Sequence, residues 1–186
     1  MAIEIEKKYR LDKKRHDEIV GKLEKLGATF TKEVFEENYL HRGGLLDERG
    51  ATLRLRKIGD FTVLTYKEKV RSDSDIKHKM EYETAVADVD AMESIIGRLG
   101  YRLSVIYEKR RKIWHFKNVE VMIDELPFGL YMEIEGTIEN IAKSEKQLGI
   151  QDLEPETRGY PRLTAKYGKV KGEVAEARFE RTVTSA

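Results

Sequence analysis

Glu4 and Glu6 stand two residues apart in the opening Ile3-Glu4-Ile5-Glu6-Lys7-Lys8-Tyr9, and Lys8 follows at the same spacing. A strand repeats its side-chain direction every two residues, so both carboxylates and the ammonium share one face while Ile3 and Ile5 share the other. Paired carboxylates with no His or Cys beside them are hard oxygen donors suited to Mg2+ or Mn2+. An ammonium is a point charge for phosphate, and a guanidinium is a planar fork for it. The same segregation recurs down the chain. Arg54 and Arg56 alternate with Leu53 and Leu55, and Lys67 shares a face with Thr65 and Val63, opposite Leu64 and Tyr66. Lys79, Glu81 and Glu83 oppose Met80 and Tyr82, and Lys109 shares a face with Arg111. Asp124 sides with Met122 against Val121 and Ile123, while Tyr131, Glu133 and Glu135 oppose Leu130, Met132 and Ile134.

Taken singly, each charged face reads as the wet side of an antiparallel sheet. Taken together they read differently. The helices between these strands need apolar sheet to pack on, and the only apolar faces are those opposite the charges. A sheet rolled into a barrel places helices outside and the charges within. Buried charges of one sign repel, and unpaired ones are strongly destabilising. A polyanion with its metal ions would complete such an interior, phosphates meeting the basic side and metals the acidic side.

The elements that must position these residues follow from period and punctuation. The sequence predicts strands at 2–10 and 29–40, a hairpin over 51–57 and 61–69 turning at Gly59-Asp60, and strands at 79–87, 101–115, 118–126 and 130–136. Helices are expected at 13–26, stopped by Gly27, at 89–99, stopped by Gly100, at 138–148 between Thr137 and Gly149, and at 158–167. Arg42-Gly43-Gly44 and Asp47-Glu48-Arg49-Gly50 read as turns, and 70–78 as a polar loop. The 186 residues suit one domain over 1–168, followed by a charged tail over 169–186 to which no firm structure is assigned. Lys and Arg number 35 against 34 Asp and Glu, so a generic nucleic-acid binder is not indicated. The absence of cysteine excludes disulfides and thiolate zinc. No apolar leader or membrane-length run occurs, so a soluble cytoplasmic protein with no membrane partner is expected.

These motifs in this order resemble the CYTH superfamily, the triphosphate tunnel metalloenzymes. Glu4-Ile5-Glu6-Lys7-Lys8 is similar to the ExExK signature, Leu53-Arg54-Leu55-Arg56 to the LRxR strand, and Leu64-Thr65-Tyr66-Lys67 to the lysine strand. Glu81-Tyr82-Glu83 resembles the ExE strand and Lys109-Arg110-Arg111 the KxR element. Val121-Met122-Ile123-Asp124 with Gly129 and Glu133-Ile134-Glu135 resembles the closing D…G…ExE set. The resemblance implies an α+β fold, an eight-stranded antiparallel β-barrel tunnel with a charged interior and helices packed outside. It implies triphosphate binding by Lys8, Arg54, Arg56, Lys67, Lys109 and Arg111, with Lys79 standing where many relatives have Arg. It implies metal binding by Glu4, Glu6, Asp124, Glu133 and Glu135, with Glu81 and Glu83 as further candidates, and Mg2+ or Mn2+ as the cofactor. The catalytic set is then Glu4, Glu6, Lys8, Arg54, Arg56, Lys67, Lys109 and Arg111.

Two reactions share this tunnel in the family. Triphosphatases direct water at the terminal phosphorus of tripolyphosphate, thiamine triphosphate or a nucleotide; class IV adenylyl cyclases direct the ribose 3′-oxygen of ATP at the α-phosphorus. Hydrolysis of an inorganic or organic triphosphate ranks first, cyclisation second, and a non-catalytic polyphosphate- or nucleotide-binding module third. A homodimer is compatible with the resemblance. The scattered histidines at 16, 41, 78 and 115 read as surface residues without a metal site, and Trp114 with Phe116 reads as outer core under a helix.

Overall fold

The computed structural model describes the backbone of residues 2–70 and 77–181, and the side chains of these except at 2–4, 69–70 and 77–79. The predicted loop at 70–78 therefore lies largely outside the described residues. In chain order the elements are β1 (Ala2–Leu11), α1 (Lys13–Lys25), β2 (Thr29–Arg42), α2 (Gly44–Glu48), β3 (Ala51–Ile58), β4 (Phe61–Val70) and β5 (Lys77–Ala85). They continue as α3 (Val89–Arg98), β6 (Arg102–Phe116), β7 (Val119–Leu126), β8 (Gly129–Glu135), α4 (Ile138–Leu148), α5 (Tyr160–Tyr167), β9 (Lys169–Lys171) and β10 (Val174–Ala177).

Helix boundaries follow side-chain capping. Asp12, Asp88 and Thr137 each accept from a backbone amide in the first turn of α1, α3 and α4. Gly149 ends α4 in the left-handed region, with φ of 62°, a conformation that costs a glycine little. The stretch at 44–48, expected as a turn, winds into the short α2 instead. The chain after 168, to which the sequence assigned no structure, forms the β9–β10 hairpin, with β10 adding in parallel to β6.

The sheet order is β2-β3-β4-β5-β1-β8-β7-β6, and β2 pairs again with β6. Each of these eight strands thus has an antiparallel neighbour on both sides, the arrangement of a tunnel-like barrel. The register sets the charged residues of adjacent strands directly opposite: Lys8 against Glu133, Lys67 against Glu81, Arg111 against Asp124, and Glu36 against Lys109.

Two apolar clusters frame this interior. The outer one joins Val121, Ile123, Met132, Ile134, Trp114 and Phe116 to Ile19 and Leu23 of α1 and Ile141 and Leu148 of α4. Helices thus cover the outward face of β6, β7 and β8, as the alternation requires. On the other side of the barrel Leu55 of the same outward set is fully buried, and the expectation fails at Tyr82. Tyr82 points outward, opposite Glu81 and Glu83, but is 51% exposed. Ile3, expected on the same outward face as Ile5, has its side chain outside the described residues. The second cluster joins Leu40, Val105, Tyr107, Leu126 and Tyr131 to Tyr160 and Leu163 of α5. Leu40, Tyr107, Leu126 and Tyr131 lie an even number of residues from Asn38, Lys109, Asp124 and Glu133, so they share the inward face. The start of α5 therefore fills one end of the barrel with apolar side chains. No helix among the described residues is long and apolar enough to cross a membrane.

Candidate active site

The inward charges are buried and paired across strands. Lys8 Nζ lies 3.1 Å from Glu133 Oε1 and donates to the Arg158 carbonyl at 3.3 Å. The Arg111 guanidinium donates through Nε to Asp124 Oδ1 at 2.7 Å, and through Nη2 to Asp124 Oδ2 at 2.6 Å and Glu133 Oε2 at 2.5 Å. That fork is the bidentate geometry a lysine cannot reproduce. Lys109 Nζ sits 3.2 Å from Glu36 Oε2 and 3.8 Å from Asp124 Oδ2. Lys67 pairs with Glu81.

Arg54 and Arg56 form a second group toward β4 and β5. Both approach Glu83 Oε1, at 3.6 and 3.0 Å, and Thr65 donates to the same oxygen at 2.7 Å. Thr65 also accepts from Arg54 Nη2 at 3.2 Å. Burial and the adjacent Arg54 charge both press the Arg56 guanidinium below its ordinary value, the mark of cations crowded more tightly than Glu83 relieves.

The two groups act on one interior. Burial alone would raise the Glu36 carboxyl; Lys109, then Arg111, Arg56 and Arg54, overcome that and bring it down to about 2. Burial and Arg111 likewise push the Lys109 ammonium down. The residues predicted from sequence as phosphate ligands (Lys8, Arg54, Arg56, Lys67, Lys109 and Arg111) all stand on this inward face of β1, β3, β4 and β6. Their partners there are Glu133, Glu83, Glu81, Glu36 and Asp124. Lys79 and Glu4 belong to β5 and β1, but their side chains lie outside the described residues.

Among the described residues, no three His, Cys, Asp or Glu side chains converge as a metal site. Asp124, Glu133, Glu81 and Glu83, named as candidate metal ligands, act here as counter-ions to the cations. Glu6 and Glu135 stand directly opposite one another on β1 and β8, with Glu6 only 7% exposed. This carboxylate pair fits a hard divalent ion in its chemistry.

Three interior residues were missed by sequence reasoning. Glu36 and Asn38 are 2% and 0% exposed, and Asn38 Oδ1 has no hydrogen-bond partner among the described residues. Their alternation before Leu40 was the available signal, obscured because Glu37 interrupts any clean polar–apolar pattern. Tyr160 comes from outside the barrel strands. Its hydroxyl donates to Asp124 Oδ2 at 2.5 Å, and its ring lies 3.6 Å from Lys8 Nζ and 5.2 Å from Lys109 Nζ. No linear motif announces such a contact. Of the histidines, His41 is buried at 6% exposure instead of lying on the surface, and burial pushes its imidazole below the ordinary value. The side chain of His78 is outside the described residues.

Comparison with known proteins meets this geometry. The CYTH domain model matches residues 2–160. A Methanocaldococcus jannaschii protein named "Putative adenylate cyclase MJ0240" is 33% identical over 150 residues, covering 78% of this chain and 83% of the relative. The structure of PH1012 from Pyrococcus horikoshii OT3 superposes with a TM-score of 0.75 at 26% identity, covering 86% of this chain and 98% of that one. HpAC1 from Hippeastrum, an adenylyl cyclase by name in which a dominant triphosphatase activity is described, shares the fold at a TM-score of 0.67 and 17% identity, covering 91% and 98%. With the charged strand faces turned into one barrel and the domain matched along most of its length, this chain belongs to the CYTH domain family.

Proposed function

We propose that this chain is a metal-dependent enzyme that hydrolyses an inorganic or organic triphosphate inside the barrel. The observation that carries this reading is the convergence of Lys8, Arg54, Arg56, Lys67, Lys109 and Arg111 on one interior, each held by a carboxylate that a polyanion can displace. Arg54, Arg56 and Lys67 would take phosphate oxygens in place of Glu83 and Glu81. Lys8, Lys109 and Arg111, fixed by Glu133, Glu36 and Asp124, would hold the phosphoryl group under attack. Preorganised cations cost no reorganisation as charge develops, which is the main lever on such a reaction. Glu6 and Glu135, with Glu4, would hold Mg2+ or Mn2+. A divalent ion there would supply Lewis-acid withdrawal of charge from the phosphoryl oxygens.

Hydrolysis ranks first because the residues named suffice for it. Cyclisation of ATP additionally demands aiming the ribose 3′-oxygen, where a misplacement of about 1 Å can cost about a hundredfold. The name of the M. jannaschii relative favours cyclisation as the second reading. A panel of tripolyphosphate, thiamine triphosphate, ATP and GTP with Mg2+ or Mn2+, products separated, decides between them. Orthophosphate released faster than any cyclic nucleotide supports hydrolysis. Mainly cyclic AMP and pyrophosphate from ATP, with tripolyphosphate left intact, overturns it.

A further inference from the structure

The cations of the barrel interior are held from two directions. Neighbouring strands supply carboxylates. The start of α5, outside the barrel, supplies a ring, a hydroxyl and a carbonyl. Tyr160 is the first residue of α5, with Gly159 before it and Pro161 fixing the first turn. Its side chain is 6% exposed and packs edge-on against Tyr131, at 5.6 Å between centroids, and beside Tyr107 at 6.0 Å. Those contacts alone would make it filler at the closed end of the barrel, and a phenylalanine would fill the same space.

Two features exceed filling. Lys8 Nζ lies 3.6 Å and Lys109 Nζ 5.2 Å from the centre of the ring, so one aromatic ring stands against two desolvated ammonium groups. An aromatic ring attracts a cation most where water is excluded. The hydroxyl donates to Asp124 Oδ2 at 2.5 Å, and Asp124 is fully buried and also grips Arg111. The Arg158 carbonyl, two residues earlier, accepts from Lys8. Lys8, Lys109 and, through Asp124, Arg111 are therefore all located by one side chain.

We propose that Tyr160 is a positioning residue of the phosphate site: its ring sets the two lysines and its hydroxyl sets Asp124 and hence Arg111. When phosphate draws on these cations, the ring keeps the ammonium groups directed into the lumen, and the phenol keeps Asp124 from swinging with the guanidinium. This inference rests on the triphosphatase reading. It deepens that reading by making α5 part of the site.

The test compares the unmodified protein with Tyr160→Phe and Tyr160→Leu, measuring kcat and KM for tripolyphosphate with Mg2+ and the Tm of each protein. Tyr160→Phe keeps the ring and loses the hydroxyl. It should fold, leave KM near that of the unmodified protein, and lower kcat about tenfold, the scale of one hydrogen bond to a charged group. Tyr160→Leu loses the ring as well. It should raise KM and lower kcat/KM about a hundredfold, as misplaced binding groups do. Variants within about twofold of the unmodified protein would overturn the proposal. So would equal losses in both variants with KM unchanged, the signature of a merely structural role. A Tyr160→Phe protein that fails to fold would overturn it too, since the hydroxyl would then be a folding determinant. An inert unmodified protein would overturn the enzyme reading and this inference with it. An active one with unaltered variants would overturn this inference alone.

Discussion

Replacing Lys109 by methionine removes one buried charge and keeps its stem. Lys109 and Glu36 pair at 3.2 Å with side chains 3% and 2% exposed, so neither has water to fall back on. Burial alone would raise the Glu36 carboxyl; Lys109, the largest of the opposing charges, together with Arg111, Arg56 and Arg54, takes it from 4.5 to about 2. A depression of that size corresponds to about 3 kcal/mol of interaction. Breaking a buried pair by removing one partner costs about 3–5 kcal/mol, because the remaining ion stays dehydrated. For a chain of this length 3 kcal/mol lowers Tm by about 6–12 °C. The pH dependence has a definite sign. Glu36 has a depressed folded-state pKa, so its contribution is present above 4.5 and lost as pH falls through about 2. In Lys109→Met the carboxyl loses its main counter-charge and protonates more readily, so the Tm gap from the unmodified protein should narrow between about pH 7 and about pH 4. The double variant Lys109→Met/Glu36→Gln should regain most of the stability, since replacing both partners removes the stranded charge. It should not regain turnover, because the cation that meets phosphate is gone. Calorimetric melts across pH, beside phosphate release from tripolyphosphate, measure both. An unchanged Tm for Lys109→Met at pH 7 would show that the Lys109–Glu36 pair is not stabilising, and restored turnover in the double variant would show that Lys109 does not meet phosphate.

Glu6→Gln should leave Tm nearly unchanged. It should raise the Mg2+ concentration for half-maximal turnover by about tenfold or more, the scale on which metal sites respond even to loss of outer partners; a titration of activity against Mg2+ reads this directly. Arg178→Ala should loosen the β9–β10 hairpin without melting the barrel. Arg178 Nη1 lies 3.1 Å from both Glu37 and Glu108, and Glu108 is 2% exposed. Hydrogen exchange should therefore rise at Ala175–Ala177 and stay slow in β7 and β8.

The barrel was legible because its alternation is rigid. With a side-chain period of two, one charged face fixes the opposite apolar face, and the outward set of β6, β7 and β8 follows residue by residue. Helices α1, α3 and α4 announced themselves through their glycine stops, and α4 also through Thr137; the capping by Asp12 and Asp88 emerged from the structure. Tyr82 shows where the rule stops, since alternation says which way a side chain points and nothing about what covers it. The C-terminal hairpin escaped because its strands are only three and four residues long and are held by ion pairs and by β6, not by an apolar stripe of their own. Glu36 and Tyr160 escaped for a related reason. Their roles exist only once β2 lies against β6 and α5 against the barrel end, and neither contact has a local signature.

Titration calorimetry shows whether the cationic interior binds a triphosphate. Tripolyphosphate with Mg2+ should bind the unmodified protein at a single site per chain. Arg54→Ala/Arg56→Ala should weaken binding by about tenfold or more, given the strength of hydrogen bonds to charged groups. No binding to the unmodified protein, or equal affinity in the double variant, would contradict triphosphate binding in this interior.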